Sequence, residues 1–276
     1  GDGVKKVKIG DEVILTWIKG EGVEAKTPQS YYSNDIKINA GHVTTFSNYS
    51  VVSENRVAKK PVEMDPKVAT LFGCALLTGG GMVVNQIQPN PGSKVIVFGL
   101  GGIGLSAISA LSDFSCDMIC AVDISQSKLA LAKKLGASHI INSMECDLEA
   151  EVTKITKGSK FDFCIESAGS TKTIETGFSL INEDCGKLLF VSHPSYESKI
   201  SIDLHQLIKG KKIEGSWGGG SRPDKDIKAL YSIIKRNKIP IDQLITKTYT
   251  LSEINLAVSD LRDGKVYRPI IEMEHN

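Results

Sequence analysis

Residues 94–123 constrain the fold of this chain more than any other stretch. A short β-branched run, K-V-I-V-F, leads into the turn G-L-G-G-I-G and then into an apolar helical pattern. A second apolar run, M-I-C-A-V, follows and stops at Asp123. Strand, glycine turn, helix and second strand make a βαβ unit, and an acid after the second strand is typical of a dinucleotide site. The stretch therefore predicts a nucleotide ligand.

The glycines of this turn have separate predicted roles. Gly99 permits the tight turn, Gly101 lets the backbone approach a pyrophosphate, and Gly104 lets the helix pack closely on the strand. A helix N-terminus offers free N–H donors and the positive end of the helix dipole. We therefore assign Gly102 and Ile103 to the cofactor site as well.

Asp123 favours NAD over NADP. It lies 24 residues beyond Gly99, close to the spacing of about 20 residues at which an acid accepts hydrogen bonds from the adenosine ribose. A carboxylate there would repel a 2′-phosphate. Lys128 follows on the next helix and could reach a ribose hydroxyl, although a solvated helix lysine explains its position equally well.

The rest of the chain predicts an α/β fold. Six short apolar runs alternate with helical patterns, which predicts a doubly wound parallel sheet with ligands at the carboxyl ends of its strands. One of the six runs is M-I-C-A-V, which stops at Asp123. The other five cover residues 94–98, 139–141, 161–165, 187–191 and 212–216. Before them we predict strands at residues 12–15 and 49–52 and a helix from Asp65 that the glycines at 79–81 interrupt. After them we predict helices at residues 226–236 and 251–261 and a strand at 268–272.

Charge and cysteine content narrow the function. A formal net charge of +1 gives no reason to expect nucleic acid or a membrane as partner. The six cysteines are scattered and form no C-x-x-C pair, which favours reduced thiols and a cytoplasmic protein. Cys116 and Cys120 have C-x3-C spacing, but we interpret them as core residues because Cys120 lies in a predicted buried strand.

Several runs together resemble the zinc-dependent alcohol dehydrogenases of the medium-chain dehydrogenase/reductase family. These runs are residues 71–79, 91–104, 121–124, 133–137, 165–169 and 264–269. The resemblance implies a Rossmann sheet beside a partial GroES-like β domain. It divides the chain into a partial catalytic domain at residues 1–75, a dinucleotide-binding domain at 76–217 and a segment at 218–276 that returns to the catalytic domain.

The resemblance also implies roles for individual residues. Cys74 matches the third ligand of the family's catalytic zinc, Thr78 matches a contact to the nicotinamide, and Arg268 matches an arginine that reaches the pyrophosphate. Three further residues lie at carboxyl ends of strands, where the family's cofactor lies: Ser167, Val191 and Ser216. The implied function is an NAD-dependent alcohol dehydrogenase that acts on a small alcohol or aldehyde.

The sequence also departs from the family pattern. The Gly-His-Glu motif and an earlier cysteine, which carry the other two zinc ligands, are absent, so we expect an N-terminally incomplete chain whose catalytic zinc depends on them. Residues 17–39 contain no cysteine, so no structural zinc is expected. His42 follows this segment, and we interpret it as a loop histidine.

Three hypotheses stay open at this level. The first is a zinc alcohol dehydrogenase that uses NAD. The second is a zinc-free reductase of the same superfamily, which Cys74 and Asp123 disfavour. The third is a non-catalytic NAD-binding interaction protein. A homodimer or homotetramer is expected, because the predicted sheet has exposed edges and the resemblance implies pairing of the sixth strands across a two-fold axis.

Overall fold

The computed structural model describes residues 1, 3–27, 29–38 and 40–274. This part of the chain contains twelve β-strands: β1 (Val13–Leu15), β2 (Tyr31–Ser33), β3 (Ile36–Ile38), β4 (Val57–Lys59), β5 (Lys94–Phe98), β6 (Met118–Asp123), β7 (His139–Asn142), β8 (Phe163–Glu166), β9 (Lys187–Phe190), β10 (Lys212–Gly215), β11 (Ile245–Thr250) and β12 (Arg268–Glu272).

Nine α-helices occur in the same described residues: α1 (Pro66–Leu71), α2 (Ala75–Gly81), α3 (Gly102–Leu111), α4 (Gln126–Lys134), α5 (Leu148–Thr156), α6 (Thr171–Leu180), α7 (Leu204–Lys209), α8 (Pro223–Arg236) and α9 (Ile254–Arg262). A π-helical segment, Met82–Ile87, continues α2 directly. None of the helices described has the length and hydropathy that crossing a bilayer requires.

Six strands form a parallel sheet in the order β10-β9-β8-β5-β6-β7. Parallel neighbours need crossover connections, and the helical patterns between the predicted strands supply them. The chain proceeds outward from β5 to β7, returns to the other side of β5, and proceeds outward again from β8 to β10. The predicted doubly wound Rossmann sheet is therefore confirmed, with its switch in strand order between β5 and β8.

The core of this sheet lies on β5 and its two neighbours. Val95, Ile96 and Val97 are fully buried, and so are Cys120 on β6 and Cys164 on β8. Central parallel strands are covered on both faces, which explains why the sequence shows continuous apolar runs here and no alternation.

The predicted strand at residues 49–52 is wrong. Strand β1 pairs instead with β4, which begins eight residues after Tyr49. The pair is antiparallel, and Ile14 faces Ala58 in it. Ala58 is buried whereas Tyr49 is largely exposed, so burial against β1 selects the later segment. Strand propensity alone does not contain that information.

The polar segment between β1 and β4 contains a hairpin that the sequence analysis missed. Strands β2 and β3 pair antiparallel across Asn34 and Asp35, both of which have positive φ. Asn and Asp tolerate that conformation, and a two-residue turn of this kind matches the twist of paired strands.

The predicted interruption at residues 79–81 is also wrong, because these glycines lie inside α2. A Cβ atom on Gly79 would lie 2.1 Å from the carbonyl oxygen of Ile103 on α3, and one on Gly80 would lie 2.7 Å from Leu230. The glycines therefore serve close packing of α2 against neighbouring helices. The break occurs earlier, in a turn at residues 72–74.

Two compact units divide the described residues. One contains residues from 1–74, 222–229 and 242–276, including the small antiparallel pairs and the parallel pair β11–β12. The other contains residues 75–221 and 230–241, including the six-stranded sheet. In the tail, α8 begins at Pro223, and a short 3-10 turn, Leu251–Glu253, precedes α9.

Candidate nucleotide site

A cleft of about 350 Å³ opens at the carboxyl ends of β5, β6 and β8. Five of the predicted cofactor residues line it: Gly99, Gly101, Asp123, Lys128 and Ser167. The rest of its lining is formed by Phe98, Leu100, Val122, Ile124, Ser143, Ala168 and Thr173. This is the switch point of the sheet, where open α/β folds hold their ligands.

The three glycines of the turn meet different steric demands. Gly99 has a φ of +81°, and a Cβ atom there would lie 2.5 Å from the backbone nitrogen of Ala168. A Cβ atom on Gly104 would lie 2.0 Å from the carbonyl oxygen of Gly99. A Cβ atom on Gly101 would meet no atom of the described residues within 4 Å. Gly99 and Gly104 are thus required by the fold, whereas the lack of a side chain at Gly101 keeps the cleft open.

Helix α3 begins at this cleft. Gly101 is its N-cap, and Gly102 and Ile103 form its first turn. The first N–H groups of a helix have no acceptor within the helix, and they carry the positive end of its dipole. An α3 of ten residues therefore brings backbone donors suited to a pyrophosphate next to Gly101.

Asp123 braces the turn and lines the cleft. Its Oδ2 atom accepts a hydrogen bond from Leu100 N at 2.6 Å, and its Oδ1 atom accepts one from Ser125 N at 2.9 Å. Each carboxylate oxygen has a further lone pair available. The half-buried Lys128 lies on α4 and lines the same cleft.

Six predicted residues of this unit are not part of the cleft lining: the helix residues Gly102, Ile103 and Gly104, and three that lie on other elements. Thr78 lies on α2, and its hydroxyl is buried without a hydrogen-bond partner among the described residues. Val191 follows β9, and its N–H donates to the Glu166 carbonyl at 3.1 Å. Ser216 follows β10 and donates its hydroxyl hydrogen to Gln86 at 2.6 Å, so its side chain is already engaged.

The other unit contains Cys74 and Arg268. Cys74 is exposed in the turn after α1, and Arg268 is the half-buried first residue of β12. Burial lowers the pKa of Arg268, and the nearby Cys74 opposes that shift. The Nε atom of Arg268 is buried and lacks a hydrogen-bond partner in the described part of the chain. A buried unpaired donor of this kind suits an anionic ligand.

The side chains described do not fit a zinc centre. No three His, Cys, Asp or Glu side chains converge anywhere in residues 1, 3–27, 29–38 and 40–274, and zinc sites need at least three protein ligands. Burial raises the pKa of Cys120 to about 12, and burial with the nearby Asp117 raises that of Cys116 to about 11. His42 is exposed.

Glu166 is the residue of the site that the sequence analysis most clearly missed. It ends β8, is fully buried, and immediately precedes Ser167 and Ala168, which line the cleft. The available signal was an acid at the end of an apolar run. Ser143 and Thr173 also line the cleft, and no motif pointed to either.

The fold and the cleft define an α/β protein of the Rossmann type. Residues 102–236 match the profile of the family described as "Zinc-binding dehydrogenase". "Alcohol dehydrogenase 6" of Rattus norvegicus is 32% identical over 298 aligned positions, which cover 98% of this chain and 79% of that protein. The corresponding protein of Peromyscus maniculatus is 29% identical with the same coverage.

Solved structures agree with this assignment. Benzyl alcohol dehydrogenase from Acinetobacter calcoaceticus superposes with a TM-score of 0.83 at 29% identity, covering 98% of this chain and 80% of that one. An alcohol dehydrogenase zinc-binding domain protein from Burkholderia ambifaria gives a TM-score of 0.76 at 33% identity, but the match spans only 60% of that chain. This chain belongs to the zinc-binding dehydrogenase family of medium-chain dehydrogenases. The relatives named above are alcohol dehydrogenases of that family.

Membership gives the general class of activity. The chain is an oxidoreductase of the zinc-dependent alcohol dehydrogenase superfamily. This family uses NAD or NADP and often zinc.

Proposed function

We propose that this protein binds NAD in the cleft after β5 and transfers hydride between an alcohol and the corresponding aldehyde. The observation that carries the proposal is the open space at Gly101 beside the Asp123 carboxylate, at the start of α3. A backbone surface without side chains next to free N–H donors suits a pyrophosphate, and an adjacent acid suits a ribose diol.

Several residues in and beside the cleft then have a role in holding the cofactor. The backbone of Gly101, Gly102 and Ile103 donates to the pyrophosphate. Asp123 accepts from the ribose hydroxyls and disfavours a 2′-phosphate by charge repulsion, which selects NAD over NADP. Lys128 donates to a ribose hydroxyl. Ser167 already donates its hydroxyl hydrogen to the carbonyls of the turn, which fixes the cleft floor.

Three further predicted residues serve the reacting end in this proposal. Thr78 offers its unpaired hydroxyl to the nicotinamide side, and the backbones after β9 and β10, at Val191 and Ser216, frame the ring. For Arg268 the proposal keeps the anion-binding role that the family resemblance implies, because its Nε donor lacks a partner among the described residues. NAD held by these residues would supply the hydride acceptor for the alcohol carbon, and the hydroxyl proton would be released as the aldehyde forms.

Zinc enters the proposal only through Cys74. A thiolate is a strong zinc ligand, but a catalytic site needs two more protein ligands, which the described residues do not bring to it. The part of the reaction assigned to this chain's described residues is therefore cofactor binding and orientation.

The proposal includes the larger organisation of the protein. Residues 1–75 form the partial catalytic domain, residues 76–217 bind the cofactor, and residues 218–276 return to the catalytic domain, although residues 230–241 of this segment belong to the compact unit of the parallel sheet. Because β10 lies at the edge of the parallel sheet, two copies can pair there as a homodimer, or as half of a homotetramer. We place the protein in the cytoplasm on its cysteine usage.

Titration with NADH and NADPH tests the cofactor assignment directly. NADH fluorescence should increase on saturable binding, and NADPH should bind at least about tenfold more weakly, as one repelled charge implies. Equal binding of both cofactors would contradict the role of Asp123, and failure of both to bind would contradict the proposal.

A second measurement separates the enzyme hypotheses. NADH formation should be followed with a series of primary alcohols, including benzyl alcohol, together with the zinc content of the protein. Turnover that needs zinc supports the alcohol dehydrogenase. Turnover without zinc identifies a reductase-type member. NADH binding without turnover identifies a binding protein.

A further inference from the structure

We propose that Glu166 is a positioning residue that fixes the floor of the nucleotide cleft by holding the loops after β8 and β9 together. The proposal rests on the proposed nucleotide function, because it concerns the same cleft. Glu166 does not line the cleft, so it acts through the residues that it holds.

The side chain of Glu166 is fully buried and satisfied by four donors. Its Oε1 atom accepts hydrogen bonds from Ala168 N at 2.9 Å, Gly169 N at 3.0 Å and Thr173 Oγ1 at 2.7 Å. Its Oε2 atom accepts one from Ser192 Oγ at 2.5 Å. Burying a carboxylate is costly unless hydrogen bonds compensate for its lost hydration. A buried carboxylate with this many partners holds every one of them in place.

These donors come from two separate parts of the chain. Ala168, Gly169 and Thr173 belong to the loop after β8 and the start of α6, whereas Ser192 follows β9 and is 26 residues from Glu166. Two of the four donor residues, Ala168 and Thr173, line the cleft. The carboxylate thus joins the ends of two neighbouring parallel strands and sets the position of part of the cleft wall.

The same loop then positions the glycine turn. Ser167 donates its hydroxyl hydrogen to the Gly99 carbonyl at 2.8 Å and to the Phe98 carbonyl at 3.1 Å. Ala168 N occupies the space that a Cβ atom on Gly99 would need. The turn is therefore packed against a loop whose conformation depends on Glu166.

Charge is not required for this role, whereas the acceptor geometry is. A glutamine at position 166 keeps one oxygen for the Ala168 and Gly169 N–H groups, and its amide can donate to the Ser192 hydroxyl, which rotates to accept. A leucine of similar volume leaves the buried donors without acceptors. Glu166→Gln is therefore the conservative variant, and Glu166→Leu is the disruptive one.

Asp162 provides a matched control in the same sheet. It immediately precedes β8, and its carboxylate accepts from Lys94 N at 2.8 Å and from Asn182 Nδ2 at 2.7 Å. These bonds also join neighbouring segments, but they lie at the amino ends of the strands, opposite the cleft. Asp162→Ala should therefore lower stability without a direct effect on the cofactor.

The test compares NADH affinity with unfolding midpoint in the full chain for the wild type, Glu166→Gln, Glu166→Leu and Asp162→Ala. We expect Glu166→Leu to raise the Kd for NADH about tenfold or more, as loss of buried supporting hydrogen bonds typically does. Glu166→Gln should stay within about twofold of the wild type, and Asp162→Ala should unfold earlier with unchanged affinity.

The outcomes separate the two proposals. If the wild type does not bind NADH, the proposed function is wrong and this role is lost with it. If the wild type binds and Glu166→Leu retains wild-type affinity, only the positioning role is overturned. Should Glu166→Leu fail to fold, Ser192→Ala removes a single donor and decides the question. A rise of a few-fold in Kd at an unchanged unfolding midpoint supports the role, and an unchanged Kd overturns it.

Discussion

The backbone N–H of Leu100 donates a 2.6 Å hydrogen bond to the Oδ2 atom of Asp123. One carboxylate therefore fixes the glycine turn and lines the cleft that the turn forms. Substitutions of Asp123 affect both the shape of the cleft and its charge.

Asp123→Asn should reduce the preference of the protein for NADH over NADPH. The amide removes the charge that repels a 2′-phosphate, and its NH₂ group cannot accept from Leu100 N. We expect NADH to bind more weakly, and the ratio of the NADPH and NADH dissociation constants to fall about tenfold, or about 1.4 kcal/mol. Asp117→Asn removes one charge at the amino end of the same strand, and its affinities should equal those of the wild type. An unchanged ratio in Asp123→Asn would remove the charge argument for NAD.

Gly101→Ala should weaken NADH binding, whereas Gly104→Ala should lower the stability of the fold. A methyl group on Gly101 meets no atom of the described part of the chain within 4 Å and enters the cleft, so the unfolding midpoint should stay unchanged while the Kd for NADH rises about tenfold. A methyl group on Gly104 lies 2.0 Å from a backbone oxygen, and this overpacking should lower the free energy of unfolding by about 1–3 kcal/mol. Denaturant titration and fluorescence titration of both variants measure the two effects. Normal NADH affinity in Gly101→Ala would place the pyrophosphate elsewhere.

The cysteines should divide by burial when the native protein is alkylated. Cys74, Cys146 and Cys185 are exposed, whereas Cys120 and Cys164 are buried. Burial raises the pKa of Cys120 to about 12 and that of Cys164 well above its usual range. Because the thiolate is the nucleophile, the buried pair should react with iodoacetamide at least about 100-fold more slowly at pH 8. Peptide mass mapping with time checks this, and the difference should disappear in denaturant.

Glu54 should make stability depend on acid pH. Hydrogen bonds from the backbone N–H groups of Val23, Lys6 and Lys5 hold the pKa of Glu54 at about 2, below its ordinary value of 4.5. A carboxyl group whose pKa is lowered by folding stabilises the protein above its unfolded pKa, and this contribution is lost as pH falls toward the folded value. The wild type should therefore unfold at higher denaturant than Glu54→Gln at pH 6, and the difference should vanish between about pH 4 and pH 2. A constant difference across that range would exclude the role of the charge.

Much of the parallel sheet could be predicted from sequence because its signals are local. Apolar runs, a glycine turn and an acid at the right spacing are read along the chain, and they identified β5, α3 and Asp123 correctly as parts of one unit. The antiparallel pair β1–β4 was harder to predict, since burial against a distant partner selects β4 over the more strand-like residues near Tyr49.

The misses near the cleft share one physical cause. The role of Glu166 depends on Ser192, far along the chain, and the glycines of α2 make sense only next to the Ile103 carbonyl and Leu230. Such relationships exist only after the elements pack, so residue type and spacing do not encode them. Thr78 and Arg268 were predicted from family resemblance, and their cofactor contacts remain predictions.

The close packing of Ala168 against Gly99 affects the kinetics of ligand binding. The loop at Ala168 packs against the turn at Gly99 so closely that a side chain on Gly99 would not fit. Each segment therefore needs the other in place to adopt its final conformation. The conformational entropy of both segments is lost during folding, before any ligand arrives. Association at this end of the cleft should then follow single-exponential kinetics in stopped-flow mixing, with an observed rate that rises linearly with NADH concentration and shows no plateau from a slow closing step.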